Sequence, residues 1–178
     1  MYGTGEQVSA LTDLRDVGRY VARVVQDERL VNKYVLCYNE MRSQADSYAL
    51  MEKLSGETIP RNFVSAEELD ADIAEALPVL QMSGMDLRSG EGAVTAFKAV
   101  GRQYFRSISI RGDNTPERAK ELGYLTSKEL WPEMDFVKYE NFLEDVVEGR
   151  AKPVYEDQRA GYQQAWEAIK EQKRLRSQ

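Results

Sequence analysis

The chain has 178 residues, of which 42 % are hydrophobic and 30 % charged, with a formal net charge of −6. That is enough polypeptide for one domain with its own core. No apolar run reaches the length of a membrane span, and the acidic balance repels nucleic-acid phosphates, so neither a membrane nor a nucleic acid is expected as a partner. There is no histidine and a single cysteine, Cys37. This removes the Ser-His-Asp and Cys-His nucleophile systems, the commonest zinc ligand and any intramolecular disulfide. A reducing, cytoplasmic location is expected.

The opening "MYGTGEQV" carries two glycines of a dinucleotide-binding fingerprint, Gly3 and Gly5. The third glycine is replaced by Val8, no strand precedes the motif, and no helix pattern follows it. A glycine turn feeding a strand over residues 7–12 is expected instead. Thr12 and Asp13 offer caps for a helix running to about residue 27, with Leu14, Val17, Val21, Val24 and Val25 at helical spacing. Asp13 and Asp16 suit its positive N-terminal end. Residues 33–38, "KYVLCY", read as a buried strand holding Cys37.

Ser43 with Asp46 caps the next helix, which Gly56 ends. Residues 59–65, "IPRNFVS", read as a short strand. Ser65 and Glu68 form a capping box, and Leu69, Ile73, Ala76 and Leu77 follow as a buried face. Met82 and Met85 flank Gly84, and core filling is their expected role. Gly84, Gly90 and Gly92 mark a connection. Residues 93–104 read as a helix with Val94, Phe97, Val100, Gly101 and Tyr104 on one side. Thr115, Pro116 and Gly123 bound a short helix. Thr126 and Glu129 start another, stopped by Pro132. Residues 139–148 are amphipathic through Phe142, Leu143, Val146 and Val147. A charged tail helix with Tyr162, Trp166 and Ile169 follows. The pattern is α+β and mostly helical, with about three weak strands.

Three collinear runs, "GTGEQVSALTDLRDVGRYVARVVQDERLVNKYVLCYNE", "YALMEKLSGETIPRNFVSAEEL" and "IRGDNTPERAKELGYLTSKELWPEMDFVKYENFLEDVVEGRAKPVY", resemble the isoflavone-reductase-like, or NmrA-like, family of the short-chain dehydrogenase superfamily, in its fungal form. The resemblance covers about residues 3–155, and residues 156–178 extend past it as an appended helix. It implies the C-terminal substrate domain of NADPH-dependent reductases of small phenolic compounds, or of NADP-binding regulators. The family's fingerprint and catalytic lysine belong to a Rossmann half outside the matched stretch. No cofactor site is therefore expected in this chain, although NADPH serves the full-length family. The surface facing that half is expected to be covered by a homodimer contact or another partner.

The turn Arg111-Gly112-Asp113-Asn114 gathers a guanidinium, a carboxylate and an amide directly after an apolar helix. Such a group beside an apolar wall is the usual make-up of a ligand site. The resemblance also implies a substrate pocket there. Tyr104, Ser109, Arg111 and Asp113 are the candidate substrate-binding residues, with Arg111 holding an oxygen and Asp113 orienting it. A charged turn supporting the next helix is the bland alternative. No catalytic or metal-binding residue is assigned. The expected role is the substrate-binding portion of an oxidoreductase acting on a small aromatic or polyketide-like secondary metabolite. A cofactor-independent isomerase or cyclase, and a non-catalytic regulatory protein, are the alternatives.

Overall fold

The computed structural model describes residues 1–82 and 90–152. Its elements run β1 (Ser9–Leu11), α1 (Leu14–Gln26), a 3-10 turn, β2 (Val35–Leu36), β3 (Glu40–Arg42), α2 (Gln44–Ser55), α3 (Ala66–Met82), α4 (Gly90–Phe105), a π-type turn over Arg106–Arg111, α5 (Pro116–Glu121), β4 (Leu125–Thr126), α6 (Ser127–Leu130) and α7 (Tyr139–Val147). The chain is mostly helical α+β. β1 pairs antiparallel with β3, and β2 pairs parallel with β4.

Helix starts follow local chemistry. Asp13 caps α1 by accepting from the Arg15 amide. Ser43 and Asp46 form a reciprocal capping box at α2, and Ser65 with Glu68 does the same before α3. Thr115 caps α5, and Pro116 occupies its first turn. Each satisfies amides that the first helical turn leaves without a partner. Gly56, at φ 73°, closes α2 in the left-handed conformation.

The strands are shorter than the sequence pattern implies. Of residues 33–38 only Val35–Leu36 pair, and Cys37, just beyond, is half-buried rather than enclosed. Residues 59–65 form no strand and contribute a single bridge, Tyr2 to Val64. The expected faces of four helices also differ, since Leu77 of α3 and Phe142, Val146 and Val147 of α7 are exposed as well. α1 buries Asp16 and Tyr20, while Leu14, Val17, Val21 and Val25 stay exposed. α4 buries Ala99, while Val100 and Tyr104 are exposed. α4 packs on α3, where Leu69 and Ala76 are buried. Small residues at such a crossing let helix axes approach closely. Polar bridges line its rim: Asp72 meets Arg102 at 2.8 Å, and Asp70 meets Arg106 at 2.8 Å. Met85 and the tail residues Tyr162, Trp166 and Ile169 lie outside the described residues.

One core cluster joins Tyr20 of α1, Leu30 and Trp131, with Val24, Val35, Cys37, Leu125, Leu130 and Met134 packed against it. Beside it lies a buried carboxylate. Asp16 accepts from the Asn39 side-chain amide at 2.7 Å, the Val137 backbone amide at 2.7 Å and Arg19 at 2.6 Å. Asn39 also donates to the Val137 carbonyl at 3.0 Å and meets the Tyr20 hydroxyl at 3.1 Å. Burial alone raises the Asp16 carboxyl. The hydrogen bonds from Val137, Arg19 and Asn39 outweigh it and hold the group below its ordinary range.

Two expectations follow from this. Asp16→Ala should cost about 3 kcal/mol, because it strands buried donors and leaves the packing unfilled. A carboxyl whose folded value is depressed contributes stability above its unfolded value, about pH 4, and loses it as pH falls through the folded value. Calorimetric melting between about pH 5 and about pH 3 should therefore fall more steeply for the native chain than for Asp16→Asn.

Candidate functional site

Where β1 runs into α1, the chain faces α7 and the residues after it across a cavity of about 530 Å³. This lies in the size range of small-molecule sites. Leu11, Leu14, Val137, Tyr139, Phe142 and Ala151 supply apolar wall, and Thr12, Asp13, Arg15, Asn39, Asp145, Arg150 and Lys152 supply polar lining. The Tyr139 and Phe142 rings lie 6.2 Å apart, tilted by 32°. The Tyr139 amide is fixed by Glu40 at 2.8 Å, and Glu40 in turn pairs with Arg42. Thr12 donates to the Cys37 carbonyl at 3.0 Å.

The rim charges form a chain. Both carboxylate oxygens of Asp13 accept from Arg15 at 2.8 Å, Arg15 reaches Asp145 at 3.0 Å, and Arg150 meets Asp145 at 3.0 Å. The Arg15 guanidinium holds the Asp13 carboxyl below its usual value, and Arg15 and Arg150 do the same to Asp145. Arg15 is correspondingly raised by Asp13 and Asp145. At neutral pH these groups are charged and mutually satisfied. They suit a role in bracing the walls and orienting a ligand's polar end better than proton transfer, which needs a group poised near working pH.

The residues expected to bind substrate sit elsewhere. None of Tyr104, Ser109, Arg111 and Asp113 is among the described residues lining this cavity. Arg111 pairs with Asp113, which also accepts from Ser107 at 2.7 Å. The Ser107 and Arg111 contacts lower the Asp113 carboxyl. Ser109 is buried and accepts from Gln44 at 2.8 Å, while the Gln44 oxygen takes the Tyr2 amide. Tyr104 is exposed and meets Phe105 edge-on. The turn does gather its polar groups, but they bond to one another. Asn114 fastens it to β1, donating to the Ser9 hydroxyl and the Ala10 carbonyl at 2.9 Å each. Leu11, Asn39, Tyr139, Phe142 and Asp145, which line this cavity from separate stretches, are not among the site candidates offered by the sequence. The only local signal was the crowding of Asp13 and Arg15 at a helix start.

The glycine turn at the N-terminus offers no phosphate cradle. The Gly3 amide donates to the Val64 carbonyl at 2.9 Å, and the Gly5 amide to the Tyr2 carbonyl at 3.2 Å. No helix starts there. Among the described residues no cluster of three or more Cys, Asp or Glu side chains is placed to hold a metal ion, and no helix is long and apolar enough to cross a membrane.

No protein-family model matches the chain. It is 39 % identical to asnovolin J 5',6'-dehydrogenase of Aspergillus novofumigatus, over 82 % of this chain and 42 % of that protein. Over this stretch the chain is similar to proteins of the isoflavone-reductase-like (NmrA-like) family. A plant relative, eugenol synthase 2 of Clarkia breweri, is 26 % identical over 82 % of this chain and 42 % of its own length. Among solved structures, the complex of leucoanthocyanidin reductase with NADPH from Vitis vinifera superposes with a TM-score of 0.64 at 20 % identity, over 83 % of this chain and 43 % of that one. The chain thus spans about two fifths of the length of the relatives it matches.

Ser109 carries a test of its structural part. Ser109→Ala leaves the half-buried Gln44 amide without its acceptor and should lower stability by about 1 kcal/mol. Chemical denaturation reads this directly. An unchanged midpoint would free Ser109 for a ligand.

Proposed function

We propose that this chain is the substrate-binding portion of an isoflavone-reductase-like oxidoreductase acting on a small aromatic or polyketide-like secondary metabolite. The observation that carries the reading is the cavity between β1–α1 and α7, with the Tyr139 and Phe142 rings in its wall and a rim on which Asp13, Arg15, Asp145 and Arg150 pair with one another. Such a site favours an uncharged, ring-containing molecule with one or two oxygens over a phosphate or a polyanion. The names of the relatives, an asnovolin J dehydrogenase and a eugenol synthase, point to the same substrate class. Hydride chemistry would be supplied by NADPH bound elsewhere in the family fold. The occupied amides of Gly3 and Gly5 leave these two glycines unsuited to it. Titration calorimetry with NADPH should show no low-micromolar binding to the chain alone.

The ligand test uses eugenol and asnovolin J as probes. Either should bind the chain, and Phe142→Ala should weaken it by about 1 kcal/mol, the order of an aromatic contact. Binding unaffected by Phe142→Ala would remove the cavity from the reading. A second reading places the ligand at the turn carrying Arg111 and Asp113, with Tyr104 and Ser109 nearby. It is favoured by the π-type turn at Arg106–Arg111, since such turns gather at functional sites. Under it, Arg111→Ala costs affinity by about 1–3 kcal/mol with melting unchanged. Under the cavity reading the probe affinity stays the same.

A further inference from the structure

Several polar groups of the cavity wall have already spent their hydrogens inside the protein. Thr12 donates its hydroxyl hydrogen to the Cys37 carbonyl at 3.0 Å. The buried Asn39 gives its side-chain amide to Asp16 at 2.7 Å and to the Val137 carbonyl at 3.0 Å. The backbone amides of Val137 and Tyr139 go to Asp16 and Glu40. Donors remain on the Tyr139 hydroxyl and on the charged rim, where the Arg15 and Arg150 side chains are 51 % and 55 % exposed.

The capacity to accept is distributed differently. The Asn39 oxygen already takes the Tyr20 hydroxyl at 3.1 Å. A hydroxyl oxygen has two lone pairs beside its one hydrogen, and among the described residues no group donates to that of Thr12. Thr12 therefore lines the cavity as an acceptor. Turning its hydrogen toward a ligand would take it from a part-buried carbonyl, and stranding such a group costs about as much as the new bond returns.

A ligand oxygen that meets Thr12 must bring the hydrogen itself. A hydroxyl does so, whereas a methyl ether or a carbonyl sets lone pairs against lone pairs. Size does not make this choice, because a cavity of about 530 Å³ has room for one more methyl group on a single-ring compound. Sites built around a hydrogen bond reject an analogue that lacks it far more strongly than apolar walls reject an extra methyl.

We propose that Thr12 is a specificity-determining residue of the cavity: its hydroxyl, held by the Cys37 carbonyl, accepts from a free hydroxyl on a ring-bearing ligand and selects that ligand over its methyl ether. This deepens the functional reading and rests on the cavity being the ligand site. It adds one required feature, a hydroxyl that is neither alkylated nor oxidised to a carbonyl.

The test is titration calorimetry with two probes, eugenol and its methyl ether, which differ by a methyl in place of the phenolic hydrogen. The native chain should bind eugenol about tenfold more tightly, the equivalent of one hydrogen bond. Thr12→Val, of nearly equal volume, should bring the ratio of the two affinities close to one, and Thr12→Ser should keep it. Thr12→Val also loses the bond to Cys37, so its melting point is followed alongside. A partly unfolded population lowers both affinities equally and leaves their ratio untouched. Equal binding of the two probes by the native chain, or an undiminished ratio in Thr12→Val, overturns the proposal. If the ratio is absent while Phe142→Ala weakens both probes, the Thr12 inference falls and the cavity reading stands. If neither probe binds, the Thr12 inference falls as well, and the cavity reading is decided by asnovolin J.

Discussion

The Asp16 carboxylate has almost no solvent contact, yet it faces donors from widely separated parts of the chain. The Asn39 amide follows β2, the Val137 amide is 121 residues away and precedes α7, and Arg19 lies one turn along the same helix. Taking a carboxylate out of water is expensive, and only near-complete hydrogen bonding offsets the loss. The donors must therefore arrive together. When they do, α1, the β2–β3 junction and the approach to α7 are fixed relative to one another. Asn39 and Val137 are also walls of the cavity. The same bonds that satisfy a buried charge thus set the distance across the candidate site.

Outside this centre the site is braced by charge pairs of a different kind. Asp13, Arg15, Asp145 and Arg150 lie at the surface, where salt screens them and each pair contributes little to stability. Their value is positional. They tie the start of α1 to α7 and neutralise the rim, so the cavity presents aromatic rings and satisfied polar groups. Lys128 adds a further brace. Its ammonium sits 3.4 Å from the Phe136 ring centre and 5.7 Å from that of Tyr38, and burial pushes it below the usual lysine value. It holds together residues that immediately precede Val137 and Asn39.

What was legible in the sequence was local. Ser43 with Asp46, Ser65 with Glu68, Thr115 with Pro116 and the left-handed Gly56 all act within a few residues, and their chemistry is written in the spacing. The family was legible too, because long collinear runs carry it. Asp16 was not distinguishable from Asp13. Both are acids at the start of one helix, and the difference is a partner more than a hundred residues away. The period of α1 was correct, but period alone cannot rank two apolar faces. The core took the side with Tyr20 and Val24 and left the valines outside. The β-rich runs at 33–38 and 59–65 promised more strand than the described residues can pair. The cavity was illegible for the same reason as Asp16: its walls come from several stretches, none of which has a pattern of its own.

The Asp16 carboxylate holds α1, Asn39 and the Val137 segment together and so shapes the candidate site. Native-state hydrogen exchange on the Val137 amide tests it most directly. In the native chain that amide should be strongly protected. In Asp16→Asn it should exchange much faster, together with the first amides of α7, while the α3 amides around Leu69 keep their protection. Equal protection of Val137 in both proteins would contradict the account.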